Sequence, residues 1–113
     1  MKHLNKEIER RTAVALTAIK QMLDKGEGEY SVGLFVSHHL EELGAAYWKK
    51  HVGTARPSPK KVLALLELRS HSGEEDENGI DTFDFTLPGD VTDYVLSVRF
   101  DENGDIEDIS MES

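Results

Sequence analysis

The sequence predicts an α+β fold, in which N-terminal helices pack on one face of a C-terminal antiparallel meander of three strands or slightly more. Two periodicities predict it. Apolar residues recur every three or four positions up to about residue 70, and at every second position within 80–112. A length of 113 residues fits one domain, 1–113, that is mostly helical over 1–70 and a sheet over 80–112.

The first helix is predicted over residues 3–25. Lys25-Gly26 is a typical helix end, because a base lies in the last turn and a glycine follows it. Residues 26–29, GEGE, would then form a loop. The apolar stripe of this helix contains Leu4, Ile8, Thr12, Ala15, Ile19 and Met22.

Two further helices are predicted before the first proline. Ser31 could cap a helix that runs to about Leu43, with His39 on its apolar face. Gly44 marks a break, after which AAYWKKH continues as helix to His51. Within that segment, Trp48 is expected in the core.

Residues 60–69 fit two structures. Ser58-Pro59 is a typical helix start, with serine as N-cap and proline in the first turn. The following KKVLALLELRS fits a helix ending near Leu68, and it fits a buried strand equally well. We favour the helix.

Three strands are predicted after an acidic loop at residues 71–79. DTFDFTLPG and DYVLSVRF alternate apolar and polar residues, and LPGDVT supplies a turn between them. The face away from the helices would carry Asp84, Ser97 and Arg99. IEDISM is a weaker third strand, in which Ile106 has the wrong parity unless a β-bulge intervenes.

Charge is distributed unevenly within a net charge of −9. Residues 1–72 contain 12 bases and 8 acids, a net +4, whereas residues 73–113 contain one base, Arg99, and 14 acids, a net −13. Such acidity repels nucleic acid and anionic membranes, and it attracts basic proteins. The charged N-terminal start and the absence of a long apolar run predict a cytoplasmic protein.

The segment Asp101–Glu112 resembles a calcium-binding EF-hand loop in the positions of its oxygens. A glycine is needed at the sixth position, yet Ile106 stands there and the glycine is Gly104. A strand also precedes the segment, where an EF-hand has a helix. A hairpin turn, with Asn103 at its third position and Gly104 at positive φ, is therefore predicted.

Other chemistry has weak support in this sequence. Cysteine is absent, so disulfides and thiolate chemistry are excluded. The histidines and one carboxylate could be imagined as a zinc set, but their spacing matches no zinc motif. The alternative hypothesis is nevertheless a small metal-dependent enzyme or metal sensor. The residues of that set are His38, His39, Glu42, His51 and His71. We predict no enzyme, no cofactor and no metal.

The C-terminal segment GIDTFDFTLPGDVTDYVLSVRFDENGDIEDISMES resembles the ends of small acidic bacterial proteins. Some of these are similar to immunity proteins of polymorphic and contact-dependent growth-inhibition toxin systems. The resemblance implies an antitoxin that binds a cognate basic toxin domain, often a nuclease, and covers its active site. It covers roughly residues 58–113 and more loosely the whole chain.

The toxin-binding surface is expected to be acidic, because a nuclease must be basic to hold phosphate. The loop at 74–77 and the hairpin from Asp101 to Asp108 are the favoured contacts, followed by the acids near the first two strands. The complete predicted set is Glu74, Glu75, Asp76, Glu77, Asp81, Asp84, Asp90, Asp93, Asp101, Glu102, Asp105, Glu107 and Asp108.

Overall fold

The computed structural model describes residues 2–72, 81–101 and 103–113, with side chains from Lys6 onward. Within them, helices precede an antiparallel sheet with the strand order β1-β2-β3-β4, so the predicted α+β architecture is confirmed, with one strand more than the three named. The helices are α1 Lys2–Asp24, α2 Val32–Glu42, α3 Ala45–Val52 and α4 Pro59–Leu63. The strands are β1 Glu67–Ser72, β2 Thr82–Thr86, β3 Val95–Phe100 and β4 Ile106–Glu112.

The starts of α2 and α4 show which predicted caps form. Ser58 Oγ accepts a hydrogen bond from Lys61 N at 3.4 Å, as an N-cap serine should. Ser31 occupies the N-cap position of α2, but its side chain makes no cap. Its hydroxyl instead donates to Gly28 O at 3.5 Å, within the preceding turn.

The favoured helix over residues 60–69 is wrong for its second half. The helix α4 ends at Leu63, and after a short turn the chain enters β1 at Glu67. Residues 67–72 pair with β2 and so form a strand, and the register of this pairing shifts between Leu68 and Ser70. That bulge at Arg69 interrupts the alternation that would have marked a strand.

The core lies between the helices and one face of the sheet. Phe83 and Phe85 of β2 are fully buried there with Phe35 of α2, and Trp48 of α3 is 1% exposed, as expected. Tyr47 Oη donates to Pro88 O at 2.8 Å and so links α3 to the β2–β3 loop. This packing leaves the opposite face of the sheet without a helical layer in the described part of the chain.

The bulge that the parity of Ile106 would require is present in β4. Arg99 pairs with Asp108, but the next residue, Phe100, pairs with Ile106, so Glu107 is the extra residue. The extra residue restores the parity of Ile106, which packs against the core on the same side as Ile109.

Candidate functional site

The uncovered side of the sheet, which we call the open face, is mainly polar, with Val95 of β3 as an apolar member. Strand register places its side chains in rows that cross all four strands. One row is Ser70, Asp84, Ser97 and Ser110, and the next is Ser72, Thr82, Arg99 and Asp108. Because neighbouring residues of a strand point to opposite faces, the burial of Phe83, Phe85 and Val98 requires these residues to face away from the core.

Carboxylates of the open face have no ionic partner among the described residues. No Lys or Arg nitrogen lies within 4.0 Å of Asp84, Asp108 or Glu112; the ion pairs found there are Arg10–Glu7, Arg11–Glu7 and Lys60–Asp24. The hydroxyl of Ser70 donates weakly to Asp84 Oδ2 at 3.5 Å. The charge of this face is therefore available to an external base.

The β3–β4 turn is a hairpin turn, as predicted, and its first acid has a structural role. Asp101 Oδ1 accepts hydrogen bonds from Asn103 N at 2.8 Å and Asp105 N at 3.1 Å. Gly104 has φ +82° and donates its N–H to Asp101 O at 3.0 Å. Asp101 is thus engaged within the turn, whereas Asp105 is exposed.

Arginines of α1 hold this turn against the helix. The guanidinium of Arg11, only 5% exposed, lies 5.3 Å from the ring centroid of Phe100. Glu7 bridges Arg10 and Arg11, and their hydrogen bonds, that from Arg10 first, lower its pKa to about 2. Arg10 also interacts electrostatically with Asp105, so α1 offsets part of the negative charge of the turn.

Other predicted acids lie at both ends of the sheet. Asp81 accepts a hydrogen bond from Thr82 Oγ1 at 3.0 Å, beside the β3–β4 turn. Asp90, at φ +52°, and Asp93 are exposed in the β2–β3 loop at the opposite end. The five residues of β2 separate the two ends by roughly 15 Å, at about 3.4 Å per residue. The predicted set is therefore spread over one face and both ends.

Five predicted contacts lie outside the described residues: Glu74, Glu75, Asp76, Glu77 and Glu102. The first four lie in the segment 73–80, and the described residues that flank this segment are Ser72 and Asp81. Asp81 N donates to Ser72 O at 3.2 Å, and Asp81 O accepts from Phe100 N at 2.6 Å. Ser72 and Asp81 are thus neighbours at the end of the sheet that carries the β3–β4 turn, and Asp81 also contacts β3.

His39 is the packed, hydrogen-bonded histidine that the sequence predicts. Its Nδ1 lies 2.6 Å from Phe35 O and its Nε2 lies 2.9 Å from Thr92 Oγ1. Burial lowers its pKa below the usual value, which favours the neutral ring. Both nitrogens are occupied, so the ring has no free lone pair for a metal.

The remaining histidines do not converge on a metal site. His38 packs edge-on against Tyr94, whereas the ring of His51 is tilted against Tyr47 and that of His71 is tilted against Phe83. Among the side chains that the structure describes, no group of three histidines, aspartates or glutamates could hold a metal ion. The geometry of these residues thus lends no support to the imagined zinc set.

Sequence reasoning missed Arg11 and, on the open face, Ser110. Arg11 had no apolar signal, because its burial depends on the β3–β4 turn packing against α1. Strand parity grouped Ser97 with Asp84 as predicted, and Ser110 could have been added to them once the bulge at Glu107 was placed.

Comparison with profiles of known protein families, with curated proteins and with solved structures finds no match. Among the described residues, no helix combines the length and apolar character needed to cross a membrane.

Proposed function

We propose that this protein is an immunity protein, a cytoplasmic antitoxin that binds the basic domain of a cognate toxin and covers its active site. The observation that carries the proposal is the open face, where Asp84, Asp108 and Glu112 have no ionic partner in the described structure. Residues 73–113 contain one base, Arg99, which pairs across the strands with Asp108. The function is binding, without catalysis.

Electrostatics supports this assignment. A nuclease holds phosphate with Lys and Arg, so its active-site cleft is a basic surface. Acids on a preformed sheet attract such a surface over about 10 Å at 0.1 M salt. They also accelerate docking, and a rigid sheet pays little ordering entropy when it binds. An acidic protein of this kind competes with nucleic acid for the toxin and does not itself bind nucleic acid.

The proposal is tested by calorimetry with the toxin-like C-terminal domain encoded immediately upstream. We expect one-to-one binding that weakens as salt rises from 50 to about 300 mM, because exposed charges are screened. The variant Asp84→Asn, Asp108→Asn, Glu112→Gln should bind at least tenfold more weakly. Its matched control removes three exposed acids of the N-terminal half: Glu9→Gln, Glu29→Gln, Glu41→Gln.

The control carries the same change in net charge, so it separates a local surface from an overall charge effect. If both triple variants bind like the wild type, the open face is not the contact. If the wild type binds no such domain at any salt concentration, the immunity function is refuted.

A further inference from the structure

The strand β4 lies at one edge of the sheet in the described part of the chain. It pairs with β3 on one side, and the order β1-β2-β3-β4 places no described strand on its other side. An edge strand presents unpaired N–H and C=O groups that can pair with another extended chain. From Asp108 to Glu112 the register is regular, so five residues form an uninterrupted template.

The backbone groups that face outward along this edge belong to Ile109 and Met111. Phe100 N donates to Asp81 O, so the backbone groups of Phe100 face β2. In an antiparallel sheet, the backbone N–H and C=O groups of successive residues point alternately to the strand on one side and to the strand on the other. The groups of Arg99, the residue before Phe100, therefore face β4. The residues of β4 whose backbone groups face β3 in this alternation are Asp108, Ser110 and Glu112.

Side chains along the same edge alternate in chemistry. Asp108 and Glu112 lie on the open face, and Glu107 adjoins them at the bulge. Ile109 and Met111 lie on the other face, at the margin of the core, where Met111 is half-buried. A strand placed beside β4 would therefore set its side chains alternately next to acids and next to this apolar margin.

We propose that the edge of β4 binds an extended segment of the partner, antiparallel, in which basic and apolar residues alternate. The basic side chains lie beside Asp108 and Glu112, and the apolar ones beside Ile109 and Met111. Main-chain hydrogen bonds hold the segment and the alternate side chains select it, which is the division of roles in strand addition. The basic character of the partner rests on the proposed function.

A second copy of this chain is a poor occupant of the edge. The antiparallel register that pairs all five residues with those of a second copy sets Ile109 opposite Met111 and Asp108 directly opposite Glu112 in both halves of the contact. Like charges opposite each other destabilise a sheet. The other edge strand, β1, is interrupted by its bulge at Arg69, and such interruptions protect an edge against pairing.

The probe is a blocked seven-residue peptide, Lys-Val-Lys-Val-Lys-Val-Lys, added to the full-length protein. We expect hydrogen exchange at the amides of Ile109 and Met111 to slow at least tenfold at saturation, since those groups become hydrogen-bonded. A peptide with the same residues in two blocks should give no such protection. Unchanged exchange at both amides, or equal protection by the block peptide, overturns the proposal.

N-methylation of the peptide tests the hydrogen bonds without altering its charge. In antiparallel pairing, the valines stand opposite Ile109 and Met111, so their N–H groups bond to β4. Methylating the backbone nitrogens of the valines should abolish the protection of Ile109 and Met111. Methylating the backbone nitrogens of the lysines should preserve it. Protection that survives methylation of the valines contradicts the pairing. Protection that grows with protein concentration in the absence of peptide would assign the edge to a second copy instead.

A variant that alters the backbone of β4 tests whether the domain encoded upstream binds at this edge. Met111→Pro removes one outward N–H group, which an edge strand tolerates, and Met111→Leu retains it. We expect Met111→Pro to weaken binding at least tenfold and Met111→Leu to bind like the wild type. Equal binding of both variants refutes the edge and leaves the immunity function standing. If the peptide protects the edge while the domain does not bind the wild type, the immunity function fails and the edge stands.

Discussion

Replacing Gly104 by alanine tests whether α1 and the β3–β4 turn form one unit. The residue has φ +82°, and a non-glycine residue in that region costs about 1–2 kcal/mol. An added Cβ would also lie 3.0 Å from Arg10 Nη2 and 3.4 Å from Arg11 Nη2. Arg10 is half-exposed and can move away, but Arg11 is buried against Phe100 and Glu7. We expect a total loss of about 2 kcal/mol.

Urea denaturation followed by Trp48 fluorescence measures this loss, because the chain has one tryptophan and it is buried. With a slope of about 2 kcal/mol per molar, the midpoint should fall by roughly 1 M. Gly26→Ala is the matched control: φ is +70° there, and the added Cβ meets nothing within 4 Å. It should lose about 1 kcal/mol, the lower end of the same left-handed backbone cost, because the added Cβ meets no neighbour.

The two variants separate the two causes. Equal losses at Gly104 and Gly26 would mean that the arginines do not constrain the turn. No loss at Gly104 would refute the left-handed turn itself, and with it the hairpin that displays the acids of β4.

Three further predictions concern single side chains. Burial lowers the pKa of His39 in the folded state, so the unfolded state takes up a proton more readily and the free energy of unfolding should fall as pH drops below 6.5. Urea titrations at pH 7.5 and 5.5 measure this fall, and His39→Gln should remove the difference between the two pH values. Asp101→Ala should lose about 1–2 kcal/mol in urea denaturation, because two backbone donors of the turn lose their acceptor, whereas exposed Asp93→Ala should lose less than about 0.5 kcal/mol. Ser58→Ala should cost about 1 kcal/mol by the same measurement, whereas Ser37→Ala, which removes no cap, should cost less.

The elements that sequence reasoning located well are those with a sustained period. The helix predicted over residues 3–25 is found at Lys2–Asp24, and the alternation around Phe83 and Phe85 marks β2. The prediction of a helix over residues 60–69 failed for a physical reason. Apolar residues there satisfy both periods, and the decision between helix and strand comes from pairing with β2, which no local pattern encodes.

The candidate site was predictable to a similar degree. Strand parity alone places Asp84, Ser97 and Arg99 on the face away from the helices, as expected, because side chains alternate along a strand. Parity could not reveal that Asp101 is used within its turn, or that Arg11 packs against Phe100. Both depend on where the turn packs in three dimensions.

Charge counting alone overstates the surface available to a basic partner, because the acids divide into two groups. Asp101 organises the turn and Asp105 lies in the field of Arg10, so removing these charges alters the fold as well as the surface. Asp108 and Glu112 have no ionic partner in the described structure, although they belong to the same hairpin. Variants of Asp101 and Asp105 should therefore lower the denaturation midpoint. Variants of Asp108 and Glu112 should weaken binding to the partner with little loss of stability. An equal effect of both pairs on stability would mean that the acids of β4 serve the fold and would remove the open face as a binding surface.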